Sequence, residues 1–199
     1  MPEEFFIYHE VSVEHVPRIL NEGLRASEES YRSGMEADLE TIADKKNISL
    51  PVRRQDCVFC YASLRQAVEM ASFETGAAGS LPPLLTRSAL LVIDALQLRD
   101  VLYVADFDIF SEVIDLRHMD SPDNIIESES YEAALSNYAE SVTPFKAFNS
   151  IAEIDSAFRR PELLIEKDIS PSNIREVLLC KKILGAGWFS SYPALPTDE

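Results

Sequence analysis

Three polar side chains stand at the ends of apolar runs far apart in the chain. His9 closes Phe5-Phe6-Ile7-Tyr8, Tyr61 closes Cys57-Val58-Phe59-Cys60, and Glu162 opens Leu163-Leu164-Ile165 after Arg159-Arg160-Pro161. The ends of strands are where functional groups gather on a rigid scaffold. An imidazole, a phenol and a carboxylate can between them orient hydroxyls, present a flat aromatic face and hold a developing positive charge. Each also has a plain structural role open to it: a histidine that only hydrogen-bonds, a half-buried amphipathic tyrosine before a helix, a strand glutamate facing solvent. Cys57 and Cys60 have the C-x-x-C spacing of zinc and redox sites. In a strand, however, residues three apart point to opposite faces, so buried thiols are expected there and no metal. The glycine clusters at Gly76–Gly79 and Gly185–Gly187 lack the lysine and hydroxyl of a phosphate loop and are expected as turns. Neither G-x-S-x-G nor H-E-x-x-H occurs in the sequence.

The elements that must position these groups can be traced by periodicity. Phe5 to His9 is an aromatic and β-branched run that predicts a first strand delivering His9 to its C-terminal end. Ser12 is expected to cap a helix carrying Val13, Val16, Ile19 and Leu20 on one face, with Pro17 at its first turn and Gly23 as its left-handed stop. Residues 27–51 are polar and acidic, with a weak helix through Met35 to Lys45, and are expected as an insertion or mobile loop over the core. Cys57 to Tyr61 predicts a second strand, followed by a helix from Ser63 to about Glu74 on the apolar face of Leu64, Ala67, Val68 and Ala71. Further strands are expected at Ala89–Asp94, Val101–Ala105, Glu162–Ile165 and Glu176–Cys180. Further helices are expected from Asp106 through Val113, over Ser130–Ala139 and over Ile151–Phe158, and residues 185–199 as an irregular tail.

The chain of 199 residues is 46% hydrophobic, 26% charged and 9% aromatic, which suits one domain burying roughly 70% of its unfolded surface and rules out disorder, collagen and coiled coil. No apolar stretch approaches the ~20 residues of a membrane span. The first residues lack a basic region ahead of an apolar one, so a cytoplasmic location and no membrane partner are expected. Eighteen Lys and Arg against 34 Asp and Glu give a formal charge of −16. That balance repels polyphosphates at long range and argues against sequence-independent nucleic-acid binding by counterion release, so a nucleic-acid substrate would need a local basic rim. Three cysteines, Cys57, Cys60 and Cys180, are too few for a disulfide framework.

The run Tyr8-His9, a short polar turn, the helix Val13 to Leu20 and then Glu22-Gly23-Leu24-Arg25 resembles the opening of ADP-ribosyltransferase-fold proteins. Cys60-Tyr61-Ala62-Ser63 ahead of an alanine-bearing helix is similar to that family's second motif. Pro161-Glu162-Leu163-Leu164-Ile165, then Ile169-Ser170-Pro171-Ser172-Asn173-Ile174, is similar to its third. Together they touch about a quarter of the chain. The resemblance implies the His-Tyr-Glu branch and an α+β fold of split antiparallel β-sheets with flanking helices. It also implies NAD as cofactor, with a macromolecular acceptor, protein or nucleic acid. Glu10 stands where the family has a small residue or a threonine, and Ser72 or Phe73 where many members carry a second tyrosine. The proline-containing helix after the histidine, and a basic residue ahead of strand two, a place Arg53 or Arg54 could fill, are similar to the DNA-modifying toxin subgroup.

On that resemblance the roles are chemical. Breaking the bond between nicotinamide and ribose develops positive charge on the sugar, and Glu162 would stabilise it, hold the ribose 2′-hydroxyl and orient the incoming nucleophile, with Glu166 a rival carboxylate. His9 would position a ribose hydroxyl, and Tyr61 would offer the nicotinamide a flat face. Arg25, Arg53 and Arg54 would meet the pyrophosphate, because a guanidinium fork suits phosphate geometry. The competing expectation is a relative of the same fold without transferase activity, serving as a binding or interaction module.

Overall fold

The computed structural model describes residues 5–26, 30–67, 88–119, 128–148, 150–183 and 186–191. In chain order its elements are β1 (Phe6–Ser12), a 3-10 turn (Val13–His15), α1 (Val16–Glu22), α2 (Ser30–Lys46), β2 (Val58–Tyr61), a helical turn α3 (64–67), β3 (Ser88–Asp94) and β4 (Leu102–Asp106). There follow α4 (Phe107–Met119), α5 (Glu129–Ser141), β5 (Thr143–Pro144), α6 (Ile151–Ala157), β6 (Pro161–Ile165), β7 (Ile174–Ile183) and β8 (Ala186–Ser191). The protein is therefore α+β, with antiparallel strand pairing. The residues group into two compact units. Unit 1 comprises Met1–Leu24, Cys60–Leu98 and Asp168–Glu199, and unit 2 comprises Arg25–Phe59 and Arg99–Lys167. Among the described residues no helix is long and apolar enough to cross a membrane.

In unit 1 the strands neighbour one another in the order β2, β1, β3, β7, β8. The ladder between β1 and β3 runs unbroken from Phe6 opposite Asp94 to Ser12 opposite Ser88. His9 consequently lies in the middle of β1, not at its end. The polar pair His9-Glu10 looked like a terminus, but Ile7 and Val11 on one pleat keep the strand buried on through it. All seven residues of β3 are buried, as expected for a strand paired on both edges. Ser12 begins a 3-10 turn and its side chain makes no capping bond, so α1 proper starts at Val16 with Pro17 in its first turn. Gly23 ends α1 at φ 92°, and a Cβ there would stand 2.5 Å from the Ile169 carbonyl oxygen. Only glycine fits this left-handed crossing, which lets Leu24 and Ile169 exchange backbone hydrogen bonds of 2.9 and 2.8 Å. The expected irregular tail is in part a strand, β8, paired with β7 from Leu178 opposite Ser191 to Ile183 opposite Ala186.

Unit 2 sets β5, β4 and β6 side by side and builds its core from helices. The segment expected as an insertion or mobile loop, with a weak helix through Met35 to Lys45, contains α2, a 17-residue helix that is part of the core. Its average composition is polar, yet Met35, Leu39, Ile42 and Ala43 fall on one stripe and are all buried. They join Phe110 and Val113 of α4, and Tyr131, Ala134, Leu135 and Tyr138 of α5, in one apolar cluster. Asp106 starts α4 as its sequence position implied, accepting the Asp108 N–H at 2.9 Å. Ser150 does the same for α6 with the Glu153 N–H at 3.3 Å. Residues 68–74 of the helix expected after Ser63, the turn expected at 76–83, with Ser72 and Phe73, and residues 192–199 lie outside the described residues.

Candidate functional site

In unit 1, β1 and β2 pair antiparallel with Tyr8 directly opposite Tyr61. Residues in register share a face and neighbours along a strand alternate, so Tyr8, Tyr61 and Glu10 project to one side of the sheet and His9 to the other. The β1–β3 register agrees. His9 stands opposite fully buried Leu91, whereas Tyr8 and Glu10 stand opposite Val92 and Leu90. Tyr8 and Tyr61 are half-buried and pack with Leu64 and Leu178 against Ala67 and Leu90. Burial raises the Tyr8 phenol above its ordinary pKa. The expected partners His9 and Tyr61 thus lie on adjacent strands, with their side chains on opposite faces.

In unit 2 two of the named residues, 108 positions apart, meet directly. Arg54 sits in a single 3-10 turn (Arg54–Asp56) before β2, and Glu162 is the second residue of β6. The Arg54 guanidinium donates through Nη2 to Glu162 Oε1 at 2.8 Å and through Nε to Glu162 Oε2 at 3.4 Å. Tyr138 donates its hydroxyl to the same Oε2 at 2.8 Å, and Arg54 Nη1 donates to Glu36 Oε1 at 2.5 Å. The guanidinium carbon lies 4.2 and 3.6 Å from the ring centroids of Phe59 and Phe110. Relative exposures are 5% for Arg54, 7% for Glu162 and 3% for Glu36, so this is a buried charge cluster rather than a surface bridge. Burial works against the Arg54 charge, but Glu162, Tyr138 and Glu36 outweigh it and hold the guanidinium protonated. Burial, and then the Glu162 charge beside it, holds the Tyr138 phenol well above its ordinary pKa.

The three arginines expected at a pyrophosphate have different fates. Arg54 is enclosed, with its donors directed at buried carboxylates and at Tyr138. Its expected role on phosphate is corrected on that ground, because a buried cation is retained only by its counter-charges. Arg53 is exposed and forms a two-pronged bridge to Glu40, at 2.9 and 2.8 Å. Arg25 is exposed and directly follows Leu24 of the Ile169 bridge. The rival carboxylate Glu166 is exposed and accepts from the Tyr103 hydroxyl at 3.3 Å. Cys57 and Cys60 are buried. Burial, aided by the Glu166 carboxylate, pushes the Cys57 thiol up to about 12, and burial raises Cys60 as well. Among the described residues no group of three or more His, Cys, Asp and Glu side chains is placed to hold a metal ion.

Sequence reasoning missed Glu36 and Tyr138. The usable clue was the pair of tyrosines on the apolar face of α5. A buried phenol requires a partner, and both have one: Tyr131 donates to Asp38 at 2.9 Å, Tyr138 to Glu162. No protein-family profile matches the chain, and no curated protein matches it. Among solved structures it is similar to EcPltA, with 15% identity and a TM-score of 0.43 over 97% of this chain and 85% of that one.

Proposed function

We propose that this chain is an NAD-dependent ADP-ribosyltransferase-like protein that transfers ADP-ribose to a macromolecular acceptor, protein or nucleic acid. The observation that supports the reading is Glu162 itself, a carboxylate at the start of β6 whose two oxygens are fixed by Arg54 and Tyr138 at 2.8 Å each. In such a transfer the bond from ribose C1′ to the nicotinamide nitrogen breaks and its electron pair leaves with nicotinamide. The acceptor nucleophile bonds to C1′, and its proton passes to a carboxylate or to solvent. Glu162 is the carboxylate that suits this step, with Arg54 and Tyr138 fixing its two oxygens and Glu36 balancing Arg54. The fit to NAD is incomplete at the pyrophosphate, where Arg25 and Arg53 are the remaining candidates.

A second reading has its own support. A carboxylate only 7% exposed and bonded through both oxygens also suits a structural ion pair, which favours a non-catalytic binding module of the same fold. Incubation with labelled NAD and cell extract, beside calorimetric titration with NAD, separates the two. Transfer of label by the wild type, reduced about 10²-fold or more in Glu162→Gln, supports the transferase. NAD binding without transfer supports the module, and absence of NAD binding overturns the NAD reading.

A further inference from the structure

We infer that Oε1 of Glu162 is the oxygen that meets the ribose and takes the proton, and that Tyr138 is the positioning residue that selects it by occupying Oε2, an assignment that deepens the proposed function and rests on it for the reaction. An ionised carboxylate offers about four acceptor sites, two on each oxygen. Oε2 receives the Tyr138 hydroxyl at 2.8 Å and Arg54 Nε at 3.4 Å, which fills both of its sites. Among the described residues Oε1 receives only Arg54 Nη2, at 2.8 Å, and keeps one site. A donor arriving from substrate therefore finds its acceptor on Oε1.

Neither neighbour can take the proton instead. Burial, and then the Glu162 charge, holds the Tyr138 phenol well above its ordinary pKa, so Tyr138 remains a donor throughout. Arg54 remains a cation between Glu162 and Glu36. The selection is also rigid. Tyr138 accepts from Arg54 Nε at 3.0 Å while it donates to Oε2, which closes a ring of three hydrogen bonds among Arg54, Tyr138 and Glu162. The Tyr138 side chain is fully buried, and its ring centroid lies 4.9 Å from that of Phe110, which also faces the guanidinium. Turning the carboxylate to present Oε2 would break buried bonds to a charged group.

The test uses the full chain and two measurements. In the first, release of nicotinamide from NAD in the presence of cell extract is followed against NAD concentration for the wild type and Tyr138→Phe, well below their thermal midpoints. Tyr138→Phe keeps the packing and removes only the hydroxyl, so kcat is expected to fall about 10-fold while KM for NAD stays within about twofold. An unchanged kcat, or a change confined to KM, overturns the positioning role. The second measurement needs no variant and so stands even if Tyr138→Phe fails to fold: wild-type crystals soaked in ADP-ribose should show a ribose hydroxyl bonded to Oε1, with Tyr138 still on Oε2. A ribose bonded to Oε2, with Tyr138 displaced, overturns the assignment. Wild-type turnover of NAD with either of these contrary results sinks the inference alone. A wild type that neither turns over NAD nor binds ADP-ribose sinks the proposed function, and this inference with it.

Discussion

Arg54 is the side chain on which the interior of unit 2 depends most. It neutralises Glu36 and Glu162, both almost fully buried, and removing one member of such a cluster leaves the others as uncompensated charge. Arg54→Met, which keeps the bulk against Phe59 and Phe110, is expected to lower stability by about 3–5 kcal/mol, measured by chemical denaturation. A change within a few tenths of a kcal/mol would mean that the two glutamates reach water once Arg54 is gone. A second residue, Asp94, sets part of the pH response. The hydrogen bond from Arg175, chiefly, holds its carboxyl below the usual range against some desolvation, with the Leu96 N–H helping. A depressed folded-state pKa contributes stability above the unfolded value and loses it as pH falls through the folded one. Unfolding midpoints should therefore drop below about pH 4 more steeply in the wild type than in Asp94→Asn.

At the scale of elements, α2 decides whether residues 27–51 are ornament or core. Leu39→Ala should cost about 2–5 kcal/mol in denaturant unfolding, because the side chain is 2% exposed in a packed cluster. A loose cover would lose almost nothing. The same helix shows what the sequence could and could not convey. The strands β3, β4 and β6 and the helix α5 were legible because their apolar residues recur at strand or helix periods over a useful length. In α2 the stripe of Met35, Leu39, Ile42 and Ala43 is diluted by acids on its other faces, so average polarity suggested a loop. The end of β1 was misplaced for a related reason: nothing local announces that Glu10 to Ser12 will pair with Leu90 to Ser88. Half of the candidate site was legible in the same way. Arg54 and Glu162 were named for their places around strands, whereas their contact, and the parts of Glu36 and Tyr138, depend on pairings across 18 to 108 residues that no local pattern encodes.

For the molecule as a whole the charge of −16 is the dominant long-range fact. Like charges on one folded chain repel, and raising salt from about 0.1 M to about 1 M shortens the screening length from roughly 10 Å to 3 Å. The thermal midpoint is expected to climb over that range in sodium chloride. A fall would show that the exposed bridges, such as Lys45 and Lys46 to Glu132, outweigh the general repulsion. The order in which the chain leaves the ribosome adds a constraint of a different kind. Unit 1 is assembled from three separated stretches, and β7, the partner of β3 along six registered pairs, lies beyond residue 173. Until β7 emerges, β3, apolar from Ala89 to Ile93, has one exposed edge and nothing to satisfy it, the situation in which nascent chains associate wrongly or recruit chaperones. Stalling translation just before β7 emerges should thus yield a sticky intermediate.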